Sequence, residues 1–225
     1  MIFYGKYNKK TENGTLVNHT DQIFTKNRGC LPILSSNQIL KKQLANQPSK
    51  IDVTLFHQNI RGLTINKIDE ISIYLCNKPT HILCLSEHHL DMKQIEKTLI
   101  PTYIFSAHFC RNIFKKGGVC IFTHKTINYM TLNLTKFCKE KDLEICATEL
   151  HLQYHKSCIM AIYRRPSGDF QYFLNTLEDI LNSFHNKFND IILCGDININ
   201  STFKQSMEIM ISSLGLSGYT KNHKL

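Results

Sequence analysis

The chain has 225 residues, 42% of them hydrophobic, with 9 cysteines and a formal net charge of +9. This suits one ordinary domain, or one domain with a tail. It excludes a membrane span, since no apolar run approaches the roughly 20 residues required, and Met1–Lys6 lacks the apolar core of a secretory signal. The cysteines include no C-x-x-C pair, and Cys84, Cys120, Cys146 and Cys194 sit inside apolar runs. That pattern argues against a disulfide framework or a zinc ribbon and for an intracellular, reducing compartment.

Charge is unevenly spread. Residues 1–50 carry 8 Lys/Arg against 2 Asp/Glu, and residues 51–225 carry 19 against 16. Rich in Asn, Lys, Gln and Thr, with one apolar patch at Cys30–Leu34, residues 1–50 read as a basic, flexible leader. Such a leader suits a polyanion such as nucleic acid, and it equally suits a plain solvated segment. The folded domain then covers 51–225.

Val53–Asn59 reads as the first strand, with Arg61-Gly62 as its turn. Thr64 is placed to cap a helix carrying Ile65, Ile68, Ile71 and Leu75 on one face. His81–Glu87 is a second buried strand with an acidic residue after its apolar run, so strand, helix and strand form the βαβ pattern of an α/β domain. Short strands follow at 103–109, 118–122, 143–152 and 157–163, with little helical period between them, and read as an antiparallel meander. The loop between the first two holds Arg111, Lys115, Lys116 and Gly117. Phe170, Phe173, Leu174, Leu177, Ile180, Leu181 and Phe184 then mark a strongly amphipathic helix. Ile191–Cys194 is a strand buried on both faces. It delivers Asp196 and Asn198, two apart, to the rim of a sheet. A last helix carries Phe203, Met207, Met210, Ile211 and Leu214 and stops at Gly215.

Several apolar strands therefore end in polar residues: Asn59, Glu87, Tyr163-Arg164-Arg165, and Asp196 with Asn198. Each has an ordinary structural reading, as a turn residue, a half-buried phenol or a surface pair. Together on one rim they supply a carboxylate suited to Mg²⁺ (Glu87), a group able to orient or deprotonate water (Asp196), and a phenol and guanidinium groups for phosphate oxygens (Tyr163, Arg164, Arg165). The chemistry implied is metal-assisted hydrolysis of a phosphate ester. His88 and His89 beside Glu87 lack the H-E-x-x-H spacing of a zinc site. No Walker loop, G-x-G-x-x-G or G-x-S-x-G elbow occurs.

Five segments occur in a telling order: Gln58-Asn59-Ile60-Arg61-Gly62-Leu63, Leu85-Ser86-Glu87-His88-His89-Leu90, Lys116-Gly117-Gly118-Val119-Cys120-Ile121, Ile162-Tyr163-Arg164-Arg165-Pro166-Ser167 and Cys194-Gly195-Asp196-Ile197-Asn198. Over roughly 51–216 the chain resembles the endonuclease/exonuclease/phosphatase superfamily, most of all the endonuclease domains of insect non-LTR (LINE-type) retrotransposons. The resemblance implies a four-layer α/β sandwich of two packed mixed sheets flanked by helices. It also implies Mg²⁺-dependent cleavage of DNA phosphodiesters (Mn²⁺ being an alternative ion), a nuclear setting, and a reverse transcriptase region in a longer polyprotein. Carried over by motif, Glu87 and Asn59 serve the metal site, Tyr163 contacts phosphate, and Asp196 orients water with help from Asn198. Two departures stand out. The residues after Tyr163 offer no Asn, and residues 199–225 hold no Asp, with His223 their only His. The expectation is a domain incomplete at its C-terminus, with the last strands missing, a sheet edge left open and little or no turnover. Other readings are a non-catalytic nucleic-acid-binding remnant, or a phosphatase or other phosphodiesterase of the same superfamily.

Overall fold

The structure, a computed structural model, describes residues 2–5, 53–78, 80–152, 155–199, 201–214 and 217–219, and for residues 2–5, 155, 201–203 and 217–219 only the backbone. In chain order the elements are β1 (Ile2–Gly5), β2 (Leu55–Asn59), α1 (Ile65–Asn77), β3 (Ile82–Ser86), the single turn α2 (Met92–Ile95), β4 (Tyr103–Phe109), β5 (Val119–His124), β6 (Asn128–Leu132), β7 (Glu144–Leu152), β8 (His155–Tyr163), α3 (Phe170–Phe184), β9 (Asp190–Asp196), α4 (Ser201–Ser213) and β10 (Ser217–Tyr219). They form a four-stranded sheet, ordered β2-β3-β5-β4, and a six-stranded sheet, ordered β10-β1-β9-β8-β7-β6.

Alternation along the strands decides what each face buries. On β3, Leu83 and Leu85 join Ile71 and Leu75 of α1 and Ile95 of α2, while Ile82 and Cys84 face the other way. On β8, Cys158, Met160 and Ile162 pack with α3 and α4, and Ile159, Ala161 and Tyr163 join the opposite layer. On β9, Ile191 and Leu193 take the helix side, and Ile192 and Cys194 the inner side. The inner sets from both sheets form one cluster, so the order is helices, sheet, sheet, helices. This is the expected four-layer α/β sandwich with both sheets mixed. The pairs β2/β3 and β8/β9 are parallel and the remaining pairs antiparallel.

The helices begin where short polar side chains meet apolar periodicity. Thr64 caps α1 by accepting from Lys67 N–H at 3.4 Å, and Asp169 caps α3 by accepting from Tyr172 N–H at 3.0 Å. Phe170, Phe173, Leu177, Ile180 and Leu181 of α3 are buried, a gross gain on the order of 10 kcal/mol before chain entropy is subtracted. Ile65, expected on the buried face of α1, is exposed, because only Ile71 and Leu75 of that helix reach full burial.

Three expectations change. The antiparallel meander is split: β4 and β5 belong to one sheet and β6, β7 and β8 to the other. Within the supposed leader, Ile2–Gly5 is a strand, and it pairs antiparallel with β9, placing Ile2 opposite Gly195. The edge of β9 is therefore covered, with β10 on the far side of β1. An edge offers unpaired N–H and C=O groups, and any extended segment of the same chain can satisfy them. The rest of the leader, including Cys30–Leu34, and Gly215 lie outside the described residues.

Candidate active site

Both parallel pairs run toward one rim. Asn59 lies opposite Ser86 at the end of β2/β3, and Tyr163 opposite Asp196 at the end of β8/β9. Parity sets their direction. Asn59 shares a face with Leu55, and Asp196 with Ile192 and Cys194, all in the layer between the sheets. The side chains meet there. Asn59 Nδ2 donates to Glu87 Oε1 at 2.7 Å and to Asp196 Oδ2 at 2.7 Å, joining residues 137 apart in sequence and two different sheets. Asn59 Oδ1 accepts the Arg61 N–H at 3.2 Å. The Tyr163 hydroxyl faces the Glu87 carboxylate closely enough to interact with it, and His89 Nε2 lies 3.4 Å from Glu87 Oε2.

These contacts set the protonation states. Burial raises the pKa of Glu87, but the bonds from Asn59, Tyr163 and His89, with the His89 charge, outweigh it and leave the carboxyl below its ordinary value. Burial, followed by the neighbouring Glu87 carboxylate, raises the pKa of Tyr163, so its phenol stays a neutral donor.

The backbone around the rim is strained. Arg61, Glu87, His89 and Asn198 have φ of 48°, 56°, 61° and 45°, a region costly for residues with a Cβ. Neighbouring strands hold the strain in place. Gly62 N–H donates to Glu87 O at 2.6 Å, Glu87 N–H to Gly118 O at 2.8 Å, and His89 N–H to Gly117 O at 2.9 Å. Gly117 and Gly118 have φ of 136° and 88°, and a Cβ at either would overlap Arg111 or His88. Such over-determined strain clusters at functional sites.

Arg164 departs from expectation. It is 2% exposed. Its guanidinium donates to the carbonyls of Ile197 (3.3 Å), Asn198 (3.1 Å) and Gly168, while Asn198 Nδ2 returns a bond to Arg164 O at 2.8 Å. Arg164 therefore locks the segments after β8 and β9 together, with its Nε buried and without a hydrogen-bond partner. Asn198 takes part in the same lock. Arg165 is exposed.

Arg111 and Glu144 support the site, and sequence reasoning gave them no role there. Glu144 is fully buried. It accepts from Arg111 Nε at 2.7 Å and also from Arg111 Nη2, from Gly118 N–H at 2.6 Å, and from Lys141 N–H at 3.0 Å. The Arg111 guanidinium stands 5.8 Å from the Tyr163 ring centroid. The available signal was a carboxylate set between Leu143 and Ile145 at the start of β7.

Lone pairs remain on the Glu87 and Asp196 carboxylates beyond these bonds, and carboxylate oxygens are hard donors of the kind Mg²⁺ takes with water completing its shell. Asn59 points its N–H groups at both carboxylates and its Oδ1 at the Arg61 N–H, so in this arrangement it fixes the two carboxylates and turns no free oxygen toward the space between them. Among the described residues, no three His, Cys, Asp or Glu side chains form a metal-holding cluster. The donor set fits one carboxylate-held, largely hydrated ion.

No protein-family model and no curated protein sequence matches the chain. Solved structures do. The endonuclease domain of TRAS1, a telomere-specific non-LTR retrotransposon, aligns with TM-score 0.55 and 11% identity over 73% of this chain and 71% of that one. The 3′ phosphatase NExo from Neisseria, bound to a product DNA hairpin, gives 0.53 and 12% over 72% and 71%. D. rerio TDP2, complexed with a single-strand DNA product, gives 0.50 and 15% over 72% and 64%, so less than two thirds of that chain is spanned. At these identities the likeness is one of architecture. The chain shares the fold of these solved structures.

Proposed function

We propose that the chain hydrolyses phosphodiester bonds of DNA at the rim where Asn59, Glu87, Tyr163 and Asp196 meet. The observation that carries this reading is the Asn59 bridge, which brings a carboxylate from each sheet onto one carboxamide. In this reading Glu87 holds Mg²⁺, with Mn²⁺ able to substitute, and the ion supplies charge neutralisation at the phosphate. Asp196 orients an attacking water and accepts its proton. Asn59 fixes both carboxylates, so no reorganisation is needed as charge develops. Tyr163, kept neutral, donates to a non-bridging phosphate oxygen, and Arg165 reaches the backbone phosphates. Asn198 positions the Asp196 segment through Arg164. The net charge of +9 and the DNA named with NExo and TDP2 support a nucleic-acid substrate.

An end-labelled duplex incubated with the chain, with Mg²⁺ or with EDTA, tests the reading. Cleavage should require the ion and fall by at least about a hundredfold in Asp196→Ala. A phosphoinositide or sphingomyelin hydrolysed in preference to DNA would move the activity to another branch of the superfamily. Steeply salt-dependent DNA binding without any cleavage would make the chain a binding protein.

A further inference from the structure

The loop from Cys110 to Gly117 is held far more firmly than an exposed connection requires. The Glu140 carboxylate accepts three successive backbone N–H groups, from Asn112 at 2.6 Å, Ile113 at 3.0 Å and Phe114 at 2.9 Å. One residue earlier, Arg111 is fixed by the buried Glu144. The Phe114 ring lies under the Lys141 ammonium, 3.1 Å from ring centroid to Nζ. So anchored, the loop presents Ile113 at 79% exposure. Lys115 and Lys116 follow, both exposed and neither in an ion pair among the described residues.

Its position is also specific. The carbonyls of Gly117 and Gly118, at its end, accept from His89 and Glu87 N–H, and Arg111 leans on Tyr163. A cleft of about 390 Å³ separates the loop from the His89–Gln94 segment. A rigid apolar tip followed by two exposed cations has the chemistry of a side chain that enters a base step while its neighbours neutralise phosphates.

We propose that this loop is a preset wedge for duplex DNA, with Ile113 inserting between base pairs beside the cleaved phosphate and Lys115 and Lys116 on the flanking backbone. The wedge rests on the reading of the rim as a DNA phosphodiesterase.

The test uses the full chain in EDTA, where binding is read without cleavage. Duplexes carry one 2-aminopurine at successive positions, and affinity is measured at several salt concentrations. Wild type should raise 2-aminopurine fluorescence on binding. Ile113→Ala should abolish the rise and weaken binding by about tenfold. Glu140→Ala should abolish it too, although Ile113 remains, because the loop is no longer held. Replacing both lysines by Ala should flatten the salt dependence by about two in slope. No rise with wild type, or a rise and affinity unchanged within twofold in Ile113→Ala, overturns the wedge. The two readings separate cleanly. Cleavage with an Ile113-independent signal removes the wedge and leaves the phosphodiesterase. An Ile113-dependent signal without cleavage in Mg²⁺ removes the phosphodiesterase and leaves a DNA-distorting loop.

Discussion

Arg111→Met should destabilise the fold through a residue far from the core centre in sequence. The side chains of Arg111 and Glu144 are 4% and 0% exposed. Removing the guanidinium leaves a buried carboxylate with only the N–H groups of Gly118 and Lys141. Breaking a buried pair costs about 3–5 kcal/mol, and the two surviving bonds place this case near about 3 kcal/mol. For a chain of this size that lowers Tm by about 6–12 °C. Arg111→Met with Glu144→Gln should cost less than half as much, because a neutral carboxamide still accepts both N–H groups without carrying a charge. The chain has 9 Tyr and no Trp, so urea unfolding is followed by far-ultraviolet circular dichroism together with tyrosine fluorescence. A single-variant cost below about 1 kcal/mol, or a double variant no better than the single, would show that the pair is not held as a buried charge.

Acid should destabilise the chain well above the range where carboxylates titrate. Burial lowers His57 to about 3 and His88 to about 4, against about 6.5 unfolded. The unfolded chain therefore binds the extra protons, and stability present above pH 6.5 is lost as pH falls toward 4, by up to about 2.7 kcal/mol per pH unit with both imidazoles counted. Urea midpoints that stay flat from pH 7 to 5 would refute this, and His57→Phe should reduce the slope by about half. Arg164→Met should cost about 3 kcal/mol by stripping three carbonyls of their charged donor. Arg165→Ala should change stability by less than about 0.5 kcal/mol while reducing the salt slope of DNA binding by about one. Equal effects at the two sites would contradict the assignment of one to the fold and the other to the ligand. Gly195→Ala should lose at least about 3 kcal/mol, because a Cβ there overlaps the Ile162 carbonyl and Cγ1 on the neighbouring strand. A soluble variant with an unchanged urea midpoint would show that β8 and β9 are less closely packed than described.

Local pattern carried much of this in the sequence. Unbroken apolar runs gave β3 and β9, the i, i+3, i+4 spacing gave α3, and strands ending in polar residues gave Asn59, Glu87, Tyr163 and Asp196. Their meeting follows from the same parity that turns Leu55 and Cys194 into the layer between the sheets. Tertiary facts were beyond that reach. Nothing in Ile2–Gly5 shows that it pairs with a strand nearly 190 residues away. The short strand β6 has no fully buried residue, and among the described strands only β7 pairs with it. Arg164 and Arg165 look alike in sequence, and they separate only because the turns after β8 and β9 bring three carbonyls onto one guanidinium. Glu144 gave a faint signal, but its partner lies 33 residues earlier in a loop.

The most direct measurement is nicking of supercoiled plasmid by the purified 225-residue chain in Mg²⁺ and in EDTA, beside Asp196→Ala and Asn59→Leu. The Asn59 bridge predicts nicking that needs Mg²⁺ and is lost in both variants, each still folded by circular dichroism. Nicking that survives Asp196→Ala, or a folded wild type that leaves the plasmid intact in Mg²⁺, would contradict a phosphodiesterase centre at this rim.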